Sequence, residues 1–312
     1  MHMSRGGGPR GRHNGRKGET HMARTGRIKF SDRDALHHVT SRIAGRQMLL
    51  AGPAAKRDML DALERAAEFS GVRVGAFAIM DNHFHVIVQV PAAEGPVPEA
   101  EVLRRYAALM GGKATERLEA KLRGLRDGGG AAAAEAELDR LRARMHDLSQ
   151  FVKTFKEEFG RLFRRRSPFP GTLWEGRFRS TLIGGAEYLR RCAAYVETNP
   201  LRAGLARRAA EYAWNTVGAA RRGDAFAVRC REWLATVLGA PVGGGCLCEV
   251  WLARRVAQVS CGKILGSAEF VSGMLGLFAR KVRSRSARAR SVDGVGFASH
   301  GWKVAARLEA AA

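Results

Sequence analysis

Two short motifs carry residue types that could do chemistry together. The first is His83-Phe84-His85, which opens a run of apolar residues. Successive side chains of a strand point to opposite faces, so His83 and His85 would project together while Phe84 enters the core. Two neighbouring imidazoles can hold one divalent metal ion. A lone pair of this kind is more often one surface residue and one hydrogen-bonded residue, so it is weak evidence alone.

The second motif is Tyr195-Val-Glu-Thr-Asn199-Pro200. Residues i and i+4 are neighbours on a helix, so Tyr195 and Asn199 can share one face. A phenol has a pKa near ~10 and attacks poorly at neutral pH unless a metal or a base favours the phenolate. A single tyrosine is more often a half-buried amphipathic side chain. Together the two motifs supply imidazole ligands, a candidate oxygen ligand and a nucleophile, the set that phosphodiester cleavage needs.

The charge of the chain indicates a polyanionic partner. The 312 residues include 53 Lys and Arg against 30 Asp and Glu, a net charge of +23. Neutralising phosphates releases counterions and dominates the affinity of such proteins for nucleic acid. A membrane surface is the competing partner, but no run reaches the ~18 apolar residues of a spanning helix, and the N-terminus lacks the apolar core of a signal peptide. We expect a cytoplasmic, nucleoid-associated protein that does not enter a membrane.

The chain divides into three regions by composition. Residues 1–27 are rich in Gly and Arg and predict a disordered basic tail. Residues 28–222 hold both motifs, interrupted at about 94–146 by a charged, Ala-rich helical insertion of the kind that is usually a solvated arm. Residues 223–312 predict a helical accessory region, with helices at about 249–259 and 268–282 as a weakly signalled helix-turn-helix and a basic tail at 281–290.

Periodicity places the motifs on particular elements. The segments at 72–80 and 83–90 predict a hairpin around Asp81-Asn82. Helices are predicted at 54–69, 148–163 and 186–198, and strand character at 172–183. In the helix at 148–163 phenylalanines recur every fourth residue and favour core packing, which leaves a basic face free to follow a phosphate backbone.

The sequence also resembles a known family. The His-Phe-His strand, Gly171-Thr-Leu-Trp-Glu-Gly-Arg-Phe178, Tyr195-Val-Glu-Thr-Asn-Pro-Leu-Arg-Ala-Gly204 and the opening His38-Val-Thr-Ser-Arg42 are similar to motifs of the REP-associated tyrosine transposases, within the HUH single-tyrosine superfamily. The resemblance covers about residues 23–222 outside the insertion, and Ile264 to Val271 resembles the C-terminal extension of longer members.

The resemblance implies a ferredoxin-like antiparallel sheet flanked by helices. It also implies an enzyme that uses Mg²⁺ or Mn²⁺ to nick single-stranded DNA beside hairpins through a 5′-phosphotyrosine, for transposition or for maintenance of repeats. Tyr195 would be the nucleophile, His83 and His85 metal ligands, and Asn199 a third ligand, although Pro200 disfavours helix at Asn199. The candidate DNA contacts are Arg42, Lys153, Lys156, Arg164, Arg165, Arg166, Arg177 and Arg179.

Three alternatives stay open at this point. The first is a protein derived from such an enzyme that binds hairpin DNA or RNA but no longer cuts it. It would keep the basic character, but the presence of His83, His85 and Tyr195 argues against a loss of the catalytic residues. An RNA-processing protein would need stacking aromatic residues, which are only 7% of the chain. A basic scaffold would explain the charge but not the paired motifs. The oligomeric state stays open between monomer and homodimer.

Overall fold

The computed structural model describes residues 28–239, 264–279, 287–292 and 295–300. These residues form a mixed α+β fold in which one β-sheet is flanked by helices, as the sequence predicts. The tail at 1–27 and the helix predicted at 249–259 lie outside the described residues. None of the helices in the described ranges is long and apolar enough to cross a lipid bilayer.

Four strands form the part of the sheet that bears the motifs. They are β1 (Ala35–Arg42), β2 (Arg73–Ile79), β3 (His83–Val90) and β4 (Arg179–Ile183). Their order is β2-β3-β1-β4 and each pairs antiparallel with its neighbour. The turn between β2 and β3 is the predicted one, closed by a hydrogen bond from the Met80 N–H to the His83 carbonyl at 2.8 Å. The strand predicted at 172–183 is shorter than expected and begins at Arg179.

The described residues contain the helices that the sequence predicts there, together with short helices that it does not predict. They are α1 (Pro53–Ser70), α2 (Glu99–Met110), α3 (Gly112–Asp127), α4 (Ala131–Arg142), α5 (Leu148–Arg166), α6 (Ala186–Glu197), α7 (Asn199–Arg202), α8 (Thr216–Arg221), α9 (Ala225–Leu238) and α10 (Ala268–Ala279). Helix α1 ends at Gly71, whose φ of 67° is the left-handed conformation that glycine tolerates. Helix α5 begins after Asp147, whose carboxylate accepts hydrogen bonds from the Ser149 and Gln150 N–H groups.

Two packed layers cover the two faces of these strands. One face buries Phe77, Phe84 and Val86 against α1 and the phenylalanines of α5, as the four-residue repeat predicts. The other face buries Ala78 and Ile87 against α6 and α9. Because β3 alternates between the two layers, its residues of odd and even number face different environments.

The insertion is a packed unit, which corrects the expectation of a solvated arm. Helices α2, α3 and α4 bury Val102, Leu122 and Leu138 around Phe69 of α1. The charged residues of these helices lie on the outside, where they form ion pairs such as Arg126 with Glu99.

The C-terminal region is only partly helical, which corrects the sequence prediction. Besides α9 and α10 it contributes strands β5 (Ile264–Gly266), β6 (Ala287–Val292) and β7 (Val295–His300), which extend the sheet in the order β4-β5-β7-β6. Strand β5 runs parallel to β4, so the sheet is not entirely antiparallel. Part of the segment expected to be a basic tail is therefore strand β6, which pairs with β7.

Candidate active site

The imidazoles of His83 and His85 lie on one face of strand β3. Their ring centroids are 5.1 Å apart. Phe84, between them, packs on the opposite face with ring centroids 5.0 Å from Phe155 and 5.7 Å from Trp174. The alternation expected of a strand is therefore observed, and the two imidazoles face the layer formed by α6 and α9.

Helix α6 brings Tyr195 to the same place. The Tyr195 ring lies edge-on to His85 at 5.7 Å between centroids and is half-buried. Helix α6 packs across β2 and β3 through Leu189, Cys192 and Val196, which are buried at helical spacing. The fold thus joins two motifs that are far apart in the sequence into one cluster.

A third histidine, His38 of β1, completes the cluster, although sequence analysis assigned it no site role. Its Nε2 lies 2.9 Å from Nδ1 of His85, a hydrogen-bond distance. The rings stack with centroids 5.1 Å apart, and Tyr195 also meets His38 edge-on at 5.9 Å. His38 is 1% exposed. Its neighbour His37, also buried, points to the opposite face by the period of the strand.

Neighbouring groups determine which ring nitrogen of His83 can bind a metal. The Asn82 amide nitrogen donates to the Arg46 carbonyl at 3.1 Å, which directs the Asn82 Oδ1 toward His83. That oxygen accepts from His83 Nδ1 at 2.7 Å, so Nδ1 carries the proton and Nε2 keeps its lone pair. For His85 to offer Nε2 in the same way, its Nδ1 must donate to His38.

Burial keeps the imidazoles uncharged. Burial, then the charge of Arg42, lowers the pKa of His83 to about 4, against the weaker opposite effect of Asp81. Burial is also the largest cause that lowers the pKa of His85 well below its ordinary value, followed by His38, His83, Arg202 and Arg42. Neutral imidazoles are the form that binds metals, so both side chains are available as ligands at neutral pH.

Asn199 lies next to Tyr195, but the hydrogen bond of its side chain goes to the backbone. Its Nδ2 donates to the Tyr195 carbonyl at 3.0 Å, and the residue is 9% exposed. Asn199 is the first residue of the short helix α7, where Pro200 is tolerated because a first-turn N–H needs no helical partner. Its role as a metal ligand stays a prediction.

Arg202, at the end of α7, also contacts Tyr195, and sequence analysis missed it. Its guanidinium carbon lies 4.3 Å from the centroid of the Tyr195 ring. One terminal nitrogen donates to the Tyr195 carbonyl at 2.7 Å and the other to Thr198 Oγ1 at 3.0 Å. Its only sequence signal was its place in the motif that follows Tyr195.

Two of the predicted DNA-contact residues share the face of the histidines. Arg42 is the register partner of His83 on the neighbouring strand. Arg179 pairs with Thr40, which in turn pairs with His85. Directly paired residues point to the same face of a sheet, so both arginines flank the imidazoles. Arg177 is exposed just before β4.

The remaining candidates belong to α5, which covers the other face. Lys156 hydrogen-bonds to Ser41 Oγ and the Gly176 carbonyl, and Arg164 to the Gly171 carbonyl. Arg166 forms an ion pair with buried Asp58 at 2.8 Å. Lys153 and Arg165 are exposed. Part of the basic face predicted on this helix therefore holds neighbouring segments in place.

The candidate ligands are of types that bind divalent metals, although they are few. Among the residues described, no group of three or more His, Cys, Asp and Glu side chains is arranged to hold a metal ion. Two neutral imidazoles are present, and any further ligand would have to be an oxygen, such as that of Asn199 or of a phosphate. Imidazole and oxygen together suit Mn²⁺, whereas Mg²⁺ prefers oxygen ligands and retained waters.

Comparisons with known proteins find little similarity. No family model and no curated protein match the sequence. Among solved structures the chain is similar to one described as "Structure of the REP associates tyrosine transposase bound to a REP hairpin". The two are 13% identical over 65% of this chain and 87% of that chain, with a TM-score of 0.40. A similarity of this size carries no argument about function.

Proposed function

We propose that the protein is a single-tyrosine DNA-nicking and strand-transfer enzyme of the HUH type, with Tyr195 as nucleophile. The observation that carries this proposal is the cluster of His38, His83 and His85 against the ring of Tyr195. Neither motif alone shows whether its residues have a catalytic or a purely structural role. Their convergence on one sheet face, in a chain of net charge +23, supports chemistry on a phosphate.

The reaction that these residues support is a transesterification. The Tyr195 Oη attacks the phosphorus of a DNA phosphodiester, a bond forms between them, and the bond from phosphorus to the 3′ oxygen breaks. The phenol gives up its proton and the departing 3′ oxygen gains one, so a phosphotyrosine on the 5′ side and a 3′ hydroxyl result. One phosphate ester replaces another, so a second 3′ hydroxyl can reverse the step and join strands without an energy source.

The protein side chains position the nucleophile. The edge-on contacts with His38 and His85 and the guanidinium of Arg202 fix the ring of Tyr195 from several sides. Such fixing removes orientational freedom before the reaction begins. Arg42 and Arg179, which flank the histidines, would attract the DNA backbone toward the phenol.

A divalent metal would be held by Nε2 of His83 and by His85, with Asn199 as a candidate third ligand. When bound, it would polarise the scissile phosphate and offset its charge. Mn²⁺ should support the reaction at least as well as Mg²⁺, because imidazole suits softer ions.

The strand order β2-β3-β1-β4, with α1 and α5 on one face, is compatible with the ferredoxin-like arrangement expected of HUH enzymes. We propose single-stranded DNA beside hairpins as substrate and transposition or repeat maintenance as the process. The alternative is a protein that binds hairpins without cutting them.

A covalent-adduct assay tests the nucleophile. The full chain is incubated with Mn²⁺ and labelled single-stranded DNA from around its own gene, and adducts are resolved on denaturing gels. Tyr195→Phe keeps the ring and its packing but lacks the attacking oxygen, so DNA binding should persist while adduct falls by a factor of at least about a thousand.

Tyr188→Phe is the matched control, because Tyr188 lies on the same helix and is also half-buried. It should form adduct at the wild-type rate. If Tyr195→Phe forms adduct at the wild-type rate, Tyr195 is not the nucleophile and Tyr188 becomes the next candidate. DNA binding by the wild type without any adduct would favour the silent hairpin-binding protein.

A further inference from the structure

Arg202 is a half-buried cation that has no carboxylate partner in the part of the chain the structure describes. Other partly buried arginines of the same layer are paired differently: Arg231, for example, lies 3.6 Å from the Glu197 carboxylate. Arg202 instead donates to a backbone carbonyl and to the Thr198 hydroxyl, and its side chain also hydrogen-bonds to that of Tyr195. Burying a cation without a carboxylate beside it is costly, so this side chain suits an anion that arrives from outside.

The position of the guanidinium is well defined. Its hydrogen bonds to the Tyr195 carbonyl and to Thr198, together with its contact with the Tyr195 side chain, hold the guanidinium before any ligand binds. These contacts do not use all five N–H donors of an arginine, so donors remain for a ligand.

We propose that Arg202 binds a non-bridging oxygen of the phosphate that Tyr195 attacks. This rests on the proposed function and deepens it by assigning a substrate contact. A phosphate diester offers the planar oxygen edge that a guanidinium fork recognises, and arginine keeps its charge at all relevant pH values. Arg202 would thus stabilise the phosphate from the side of the tyrosine, whereas the imidazoles serve the metal.

The competing role is structural. Arg202 joins the end of α6 to α7 through Tyr195 and Thr198, so its removal could simply loosen the tyrosine. The two roles differ in one measurable respect. A phosphate contact must depend on the charge of one particular phosphate of the DNA, while a structural role cannot depend on any.

Equilibrium binding of modified DNA separates the two roles without relying on cleavage. The probe is a short single strand selected by the protein itself from random sequences, prepared as a set in which one phosphate at a time is replaced by a neutral methylphosphonate. Binding is measured by fluorescence anisotropy in the Tyr195→Phe background, alone and combined with Arg202→Gln or Arg202→Lys. Thermal unfolding of each variant checks that it folds.

With unmodified DNA, Arg202→Gln should weaken binding about tenfold, the size of one charge-assisted hydrogen bond. When the methylphosphonate replaces the phosphate that Arg202 contacts, the protein that keeps Arg202 should lose about the same tenfold in affinity. With that same DNA, Arg202→Gln should cause no further loss of affinity. Arg202→Lys should restore part of the affinity. Arg207→Gln, the control, removes an exposed charge of the following loop and should weaken binding equally at every position.

An equal loss from Arg202→Gln at all positions would overturn the proposal and leave Arg202 a structural residue. The outcome is separate from that of the adduct assay. A chain that never forms adduct would contradict the proposed nicking activity, while the position-dependent loss would still show that Arg202 contacts a phosphate.

Discussion

The two faces of strands β1 and β3 carry different chemistry, although alternate residues of the same two strands supply them. On the face covered by α6 and α9, His38 and His85 meet the ring of Tyr195 edge-on, and His83 contacts His85. On the face covered by α1 and α5, Phe84 packs among aromatic rings. One position along a strand therefore decides whether a side chain serves the site or the core.

The adjacent pair His37 and His38 makes the same comparison within one residue type. Both are 1% exposed. His38 hydrogen-bonds to His85 and contacts Tyr195, whereas Nδ1 of His37 has no hydrogen-bond partner within the described structure. Burial alone thus does not distinguish the two histidines, whereas the contacts that each face provides do.

The largest difference between the faces should appear in metal binding. His85→Gln removes a proposed ligand and should lower Mn²⁺ affinity by at least about a hundredfold, since loss of a residue that only supports a ligand already costs ten- to a hundredfold. His37→Gln changes the same residue type on the other face and should leave affinity unchanged. Isothermal titration of Mn²⁺ into each protein measures both, and equal affinities would refute the assignment.

The core-side histidine should instead affect stability in acid. Burial lowers the pKa of His37 to about 4. Because the folded pKa is below the unfolded value of about 6.5, the folded state resists protonation, and stability is lost as pH falls from about 6.5 through 4. The contribution is roughly 3 kcal/mol. Urea unfolding of wild type and His37→Phe across this range should show a smaller acid loss in the variant. Parallel losses would exclude His37 as a cause.

The smallest difference should lie between the two sets of basic residues. The double change Arg42→Gln with Arg179→Gln removes two charges beside the histidines. In a plot of the logarithm of the single-strand binding constant against the logarithm of the salt concentration, it should reduce the steepness of the slope by about 1.4, or about 0.7 for each phosphate contact. Lys153→Gln with Arg165→Gln removes two charges from exposed positions of α5 and should change the slope by less than half as much. Fluorescence anisotropy at several salt concentrations measures the slopes. A larger effect from the α5 pair would place the main DNA path on the other face.

The sequence predicted the parts of the site that have a regular period. Alternation in β3 assigned His83 and His85 to one face, and helical spacing placed Tyr195 beside Asn199. His38 was missed because two adjacent histidines give no sign of which one faces a partner. Arg202 was missed because its contacts depend on how α7 turns after α6, at Pro200.

The C-terminal strands were missed for a different reason. The segment Ala287–Val292 alternates small and charged residues, but its charge and lack of large apolar residues favoured a basic tail. Its pairing with β7 is a tertiary effect that local composition does not reveal. The insertion was misjudged in the same way, because its apolar residues pack around a phenylalanine of α1, which lies outside the insertion.

We propose that Tyr195 becomes covalently linked to DNA, and peptide mapping of the adduct identifies the linked residue. Trypsin releases Cys192–Arg202, in which Tyr195 is the sole tyrosine, and Tyr188 falls in a separate peptide, Ser180–Arg190. After reaction with Mn²⁺ and single-stranded DNA, nuclease trimming and digestion, mass spectrometry should find a nucleotide attached through its 5′ phosphate to Cys192–Arg202. A nucleotide on Ser180–Arg190, or on neither peptide when an adduct has formed, would contradict the assignment of Tyr195 as nucleophile.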